Sequence, residues 1–240
     1  MMEKAAADIS EIGPAGRVYD TARGNRLLEC LALNDLAGIV AVGEFASFGA
    51  DVHVARGGDV VDEVYFPVSG YASLMASDTD NTGLQVAMVG TEGLLGWESL
   101  LGRTTFLLDI YVPEKLRVLR MNVEEIRTLA LGNEPWRMAQ LGSLTRLFAV
   151  ATRSALCARF HLLEARLARC LLEIHDHHPE VPIRLTQHTL ANLLGVRRSG
   201  ISTAATHLQV LGLIQYRRGA IRILNRQELE AAACDCYRQP

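Results

Sequence analysis

The stretch Thr186–Leu208, TQHTLANLLGVRRSGISTAATHL, leaves its part of the chain few ways to fold. Place Ala191 as the small residue where two short helices cross. The positions that must then be apolar are Leu190, Leu194, Val196, Ile201 and Ala204, and each of them is. Gly195 falls at the turn, where a positive φ is needed and a Cβ is penalised. Thr186 is placed to N-cap the first helix, and Ser199 to cap or open the second. Helix spacing alone would describe any core helix pair. The small residue and the glycine in register with it predict a DNA-binding helix-turn-helix, with Arg197–Leu208 as its recognition helix. The outward residues are expected to be Arg197, Arg198, Ser199, Gly200, Thr203 and Thr206. Arg198 is assigned to a base edge, because a guanidinium can donate two bonds to guanine, and Arg197 to base or phosphate. Thr186 and Gln187, at the start of the first helix, join the set expected at the DNA. Gly200 weakens a helix by about 1 kcal/mol relative to Ala, and close backbone approach to DNA is one reason to keep it.

Charge is divided in the same sense. Residues 1–150 hold 12 Lys+Arg against 20 Asp+Glu, a net −8, whereas residues 151–226 hold 11 Arg against 4 acids, a net +7. A basic module carrying the candidate helix is the electrostatic footprint of a nucleic-acid binder, and an acidic first half argues against nucleic acid lying across it. A hydrophobic fraction of 49% over 240 residues fits one or two globular domains. No apolar run approaches the roughly 20 residues of a membrane span, and MMEKAAADISEIGPAG lacks the apolar core of a secretory signal. Five scattered cysteines fit a reducing, cytoplasmic setting better than a disulfide framework.

Residues 1–24 are read as a flexible polar arm, and Leu27–Val42 as one or two helices. From Phe45 to Val123 short runs follow one another between turn signals: VHV at 52–54, VYF at 64–66, YASLM at 71–75, LQVAMV at 84–89, FLLDIYV at 106–112 and LRVLRM at 116–121. This spacing predicts an antiparallel sandwich or barrel. GLLGWESLLG, Gly93–Gly102, interrupts the strands as a short helix that either cradles a ligand with its free N–H groups or fills a corner. A long helix is expected from Glu134 to about Arg159, with Pro135 in its first turn. Leu141, Leu144, Phe148, Ala151, Ala155 and Ala158 form a heptad seam along it, suited to a second copy of the chain. After a hinge at 160–163, Glu164–His175 is amphipathic, with Leu167, Cys170, Leu171 and Ile174 inward. Beyond the helix-turn-helix, LGLIQYRRGAIRILN at 211–225 reads as strand, turn, strand. Arg217 and Arg218 at the tip, with Arg222 nearby, suit phosphate contacts.

In this order the elements resemble the Crp/Fnr family of bacterial transcription regulators over roughly residues 25–230. The segments that carry the resemblance are VDEVYFPVSGYASL at 61–74, VAMVGTEGLLG at 86–96, HLLEARLARCLLE at 161–173 and LTQHTLANLLGVRRSGIS at 185–202. The resemblance implies an α+β chain: an N-terminal antiparallel, cyclic-nucleotide-binding-like β-roll, a long dimerisation helix and a C-terminal winged helix-turn-helix. The expected boundaries are an arm at 1–24, a sensor domain at 25–132, the dimer helix at 133–160, the DNA-binding domain at 161–228 and a tail at 229–240. It also implies a homodimer on promoter DNA, allows RNA polymerase as a further partner, and leaves any small-molecule effector unidentified. By position Arg198, Ser199 and Thr203 match the family's base-reading sites. The cyclic-AMP receptor protein has an acid and a second arginine where Ser199 and Thr203 stand, so a different operator is expected.

The family's cyclic-nucleotide binders hold the phosphate with a Gly-Glu pair and, after a short loop, Arg-Ser or Arg-Thr. Here Gly96 precedes Trp97, Glu98 comes one place late, and Arg103-Thr104 lies early. Gly93, Gly96, Glu98, Arg103 and Thr104 are the candidate pocket. Without a buried arginine the phosphate would be desolvated and unpaired, which argues against cyclic AMP. Cys30 stands alone where the iron–sulfur branch clusters its cysteines, so no such cluster is expected. No cofactor, metal site or catalytic constellation is assigned. His175, His177 and His178 are read as a solvated helix end rather than a metal site, His161 as structural, and Cys234 and Cys236 as exposed tail thiols, with a redox switch or a metal pair as the alternative. The alternative reading is a ligand or redox sensor acting through protein–protein contacts, which the +7 charge of residues 151–226 disfavours.

Overall fold

The computed structural model describes residues 22–78, 83–177, 182–217 and 219–238. The chain forms two compact units, one of Met1–Leu74 with Met88–Leu147, the other of Met75–Ala87 with Phe148–Pro240.

Two short helices open the described chain, α1 (Arg26–Glu29) and α2 (Leu33–Val42). Ala22, placed in the arm expected at 1–24, is fully buried, as is Asn25; residues 1–21 lie outside the described residues. The Asn25 side chain caps α1 and its Nδ2 donates to the carbonyls of Pro67 and Gly93, both at 2.9 Å. Seven strands follow: β1 (Glu44–Phe48), β2 (Val52–Ala55), β3 (Glu63–Ser69), β4 (Ala72–Ser77), β5 (Gly83–Val89), β6 (Asp109–Val112) and β7 (Leu116–Asn122). They make a β-roll of two sheets, ordered β1-β7-β3 and β2-β6-β4-β5. Arg120 on β7 reaches across to Glu44 at 2.6 Å and Glu63 at 3.6 Å, joining the strands on either side. Phe48 meets Tyr65 edge-on in the core.

β1 was not among the expected strands, and β6 is shorter than the apolar run at 106–112. The Phe106 amide donates to the Asp59 carbonyl, and the Leu107 amide to the Glu98 side chain, so both are turned out of the ladder. Helix α3 (Val123–Leu131) follows, N-capped by the Asn122 side chain. Then comes α4 (Glu134–Phe160), the long helix, with Pro135 in its first turn. Trp136 anchors its start among the roll's core residues, 6.0 Å from the Phe66 ring.

The C-terminal unit holds the end of α4, then α5 (Leu163–His177), α6 (Gln187–Leu194), α7 (Arg198–Val210), the hairpin β8 (Ile214–Arg217) and β9 (Ala220–Ile223), and α8 (Arg226–Ala232). Leu167, Cys170, Leu171 and Ile174 are buried on α5 as their spacing requires. The boundary expected at 228/229 falls inside α8, whose buried Leu229 belongs to this unit. Among the described residues, no helix is long and apolar enough to cross a membrane.

Candidate nucleic-acid interface

The helix pair forms for the reasons its residues supply. The Thr186 hydroxyl accepts from the Thr189 amide at 3.0 Å and caps α6. Gly195 ends α6 with φ 62°, and the Val196 amide returns to the Ala191 carbonyl at 3.0 Å. Leu190, Ala191, Leu194, Ile201 and Ala204 are buried between the helices, and Val196 is half-buried. Arg166 on α5 was not anticipated. It is buried, and its guanidinium donates to the Leu194 carbonyl at the C-terminal end of α6, where the helix dipole favours a cation. A buried arginine at a helix end lets α5 hold the turn in place.

The N-terminal face of α7 is left free. Arg197 is the N-cap and Arg198 the first helical residue, so Ser199 lies within the first turn and does not cap it. Arg197, Arg198, Ser199, Thr203 and Thr206 are exposed. The Thr203 and Thr206 hydroxyls donate to carbonyls four residues back, at 3.2 Å to Ser199 and 2.8 Å to Ser202. Gly200 does not share this face. A Cβ there would meet Leu163 Cδ2 at 2.9 Å, so its missing side chain serves the packing of α7 on α5 and the outward placement is corrected.

The wing forms as the spacing predicts. β8 and β9 pair antiparallel with Arg217 opposite Ala220, and Ile183 adds a bridge to Ile221. Arg217 and Arg222 are exposed; Arg218 lies outside the described residues. An open depression of about 590 Å³ brings Thr186, Gln187, His188, Arg198, Tyr216 and Gly219 together. His188 and Tyr216 were not singled out from the sequence. The Tyr216 hydroxyl donates to the Leu185 carbonyl at 2.9 Å, and its amide to Gln209 Oε1 at 2.9 Å. Burial raises the Tyr216 pKa, against the pull of Arg198, so the hydroxyl stays a neutral donor. The signal for these two residues was their position: one on the first turn of α6, the other on the strand leading into the wing.

The candidate ligand residues in the roll present a different picture. Trp97–Leu101 is a single 3-10 turn between Gly96 and Gly102, both left-handed. A Cβ on Gly96 would lie 2.9 Å from the Glu63 carbonyl oxygen, so the glycine is required by β3 itself. Likewise a Cβ on Gly93 would lie 2.9 Å from Val89 Cγ1. Glu98 is buried, one carboxylate oxygen accepting the Leu107 amide at 2.9 Å and the other without a hydrogen-bond partner. Burial pushes its pKa up. Arg103 and Thr104 are exposed, so the candidate set is not a buried, arginine-lined anion cradle.

Two further expectations are settled by contacts. His175 Nδ1 lies 2.9 Å from Arg226, whose guanidinium also donates to Asp176 at 2.7 Å and Tyr237 at 2.6 Å, so His175 belongs to a network that ties α5 to α8. His178 lies outside the described residues. Cys234 and Cys236, expected as exposed tail thiols, are only 9% and 7% exposed, because a 3-10 turn at Asp235–Tyr237 folds them against α5.

Residues 165–232 match the model of the Crp-like helix-turn-helix domain. No curated protein matches the chain. Among solved structures it is similar to the c-di-GMP-responsive global regulator CLP of Xanthomonas campestris, at 20% identity over 80% of this chain and 99% of that one, TM-score 0.66. FixK2 of Bradyrhizobium japonicum matches at 17% identity over 80% and 98%, TM-score 0.69. A CRP/FNR-family transcriptional regulator of Thermus thermophilus matches at 23% over 79% and 98%, TM-score 0.66. Residues 165–232 are thus a Crp-like helix-turn-helix domain, carried in a chain with the fold of the Crp/Fnr transcription regulators.

Proposed function

We propose that the protein is a homodimeric, sequence-specific transcription regulator that places the first turn of α7 in the major groove of promoter DNA. The observation that carries this is the solvent-facing set Arg197, Arg198, Ser199 and Thr203 at a helix N-terminus, with exposed Arg217 and Arg222 on the adjoining wing. The side chains offer bidentate and single hydrogen bonds to base edges, and the wing offers charge to phosphates. Thr186 and Gln187 border the same depression as Arg198 and suit backbone contacts from the start of α6.

Dimerisation rests on α4. Phe148 is 75% exposed and Leu141 50%, while Leu144 and Ala151 are half-buried and Ala155 is exposed, along one heptad seam. Large apolar side chains left in water on a long helix are satisfied by a two-fold copy of the same helix. In this reading residues 25–132 are the sensor, 133–160 the dimer helix and 161–228 the reading head. Glu98 in the roll is already hydrogen-bonded internally and Arg103 is exposed, so the effector is not cyclic AMP. Selection of bound DNA from a random pool at fixed salt tests the proposal. A palindromic consensus is expected; enrichment of no motif overturns it.

A further inference from the structure

The end of α4 and the C-terminal 3-10 turn bring four soft ligand atoms to one point. Cys157 sits on the last turn of α4. His161 follows one helical turn later, its amide still donating to the Cys157 carbonyl at 3.2 Å, so both side chains leave the same face. Cys234 and Cys236 flank Asp235, which is exposed, so the two thiols share the inward side. The Cys157 and Cys234 sulfurs are 3.5 Å apart, and the Cys236 sulfur is 3.5 Å from His161 Nδ1. All four ligand atoms lie within 4.8 Å of one another.

We propose that Cys157, His161, Cys234 and Cys236 form a closed, tetrahedral Cys3His site for a single thiophilic divalent cation, zinc. Zinc–sulfur bonds of about 2.3 Å and zinc–nitrogen bonds of about 2.0 Å give tetrahedral edges of about 3.8 Å between sulfurs and about 3.5 Å between sulfur and nitrogen. The sulfur–sulfur separation falls slightly inside its edge and the sulfur–nitrogen separation matches its own, a spacing that one ion at the centre accommodates with small side-chain rotations. A multi-iron cluster needs ligands spread around several metal atoms, and this set is too compact for that. The three cysteines are buried and His161 is half-buried, which leaves no side open for a substrate, as in structural rather than catalytic sites. Binding releases three thiol protons to solvent and leaves the ion with its ligands at a net charge of −1. The guanidinium of Arg169, 8% exposed and ion-paired with Glu173 at 3.1 Å, also acts electrostatically on Cys157 and Cys234, and its Nε has no hydrogen-bond partner.

The ligands join chain positions 75 to 77 residues apart. Everything between them is α5, the helix-turn-helix, the wing and α8. The ion would therefore close both ends of that module onto the last turn of α4, and its binding free energy would become folding free energy of the unit.

Metal analysis of the full-length protein, purified without an affinity tag under reducing conditions, tests the site. About one equivalent of zinc per chain is expected, falling at least about tenfold in the Cys234→Ser/Cys236→Ser double variant. Cys30→Ser and Cys170→Ser should leave it unchanged. Cobalt added to the metal-stripped protein should give thiolate-to-metal charge transfer in the near ultraviolet and the intense visible bands of tetrahedral coordination. Should the double variant fail to fold, His161→Cys keeps four ligands and is expected to retain one equivalent, with the cobalt bands shifted by the added thiolate. Metal-free protein without those bands on cobalt addition overturns the proposal. So does iron with acid-labile sulfide, or a Cys157–Cys234 disulfide that forms equally with and without zinc.

Discussion

Arg198 is the first residue of α7 and exposed, while Arg217 ends β8 beside the wing turn, also exposed. Both are arginines on a basic surface, yet the proposed reading gives them different work. A base-edge contact discriminates between sequences; a phosphate contact does not. Arg198→Ala should lower affinity for the best operator by roughly 1–3 kcal/mol and flatten the preference at one base pair. Arg217→Ala should weaken all duplexes about equally and reduce the salt slope by about 1. Competition binding with single-base operator variants at several salt concentrations separates the two. Equal loss on every duplex for Arg198→Ala would remove it from the groove. Glu98 makes a second residue-scale case. Burial raises its pKa above the ordinary 4.5, so the folded state holds the proton more tightly than the unfolded chain. The sign follows: the cost of ionising it is absent below the unfolded pKa and complete once pH exceeds the folded one. Glu98→Gln keeps an acceptor for the Leu107 amide and removes that charge. Denaturant titrations should show a weaker loss of stability in the variant than in the parent as pH rises above the ordinary carboxylate range. Identical pH profiles would mean the carboxylate is not desolvated in solution.

Among the elements, α4 has the most to explain, because much of its apolar surface faces water in a single chain. Met138, Leu141, Phe148 and Phe160 are 60%, 50%, 75% and 72% exposed. A substitution at so exposed a position changes protomer stability by only about 0.5 kcal/mol. Phe148→Glu should therefore leave the fold intact while separating the copies, since two facing carboxylates in an apolar seam are costly. Sedimentation or light scattering should show the mass fall by half, with operator affinity lost alongside. An unchanged dimer would place the interface elsewhere. The exposed apolar row along α4 was legible in the sequence, as were the α6–α7 pair and the wing, because each is fixed by residues within about 30 positions of one another. β1 was not, since its five residues carry no turn signal of their own and its pairing with β7 is set 68 to 76 positions away. Gly200 was misplaced for a related reason. Helical spacing tells which residues share a face, but that Leu163 of another helix fills the space beside it is a tertiary fact. The four-ligand cluster was invisible in the same way: C-x-C and a C-x-x-x-H that lies 73 positions earlier mean little until the chain returns on itself.

At the scale of the whole molecule the uneven charge becomes a geometric constraint. The first 150 residues carry −8, so DNA is repelled from the roll and must be held by the basic segment at 151–226. A single reading head with a few exposed arginines offers too few contacts for high specificity at physiological salt, since each phosphate contact loses strength as counterions return. Two heads on a two-fold axis double the contacts and demand an operator with the same symmetry. Their half-sites should then lie about one turn apart, near 34 Å. Phasing follows directly. Inserting about 5 bp between half-sites turns one to the opposite side of the duplex, and affinity should drop to that of a single half-site. Inserting about 10 bp restores the face but lengthens the span, so recovery should be partial at best. Gel-shift titrations on the three duplexes read this directly. Equal affinity for all of them would mean that each head binds alone, and that the exposed seam on α4 serves some purpose other than pairing the heads.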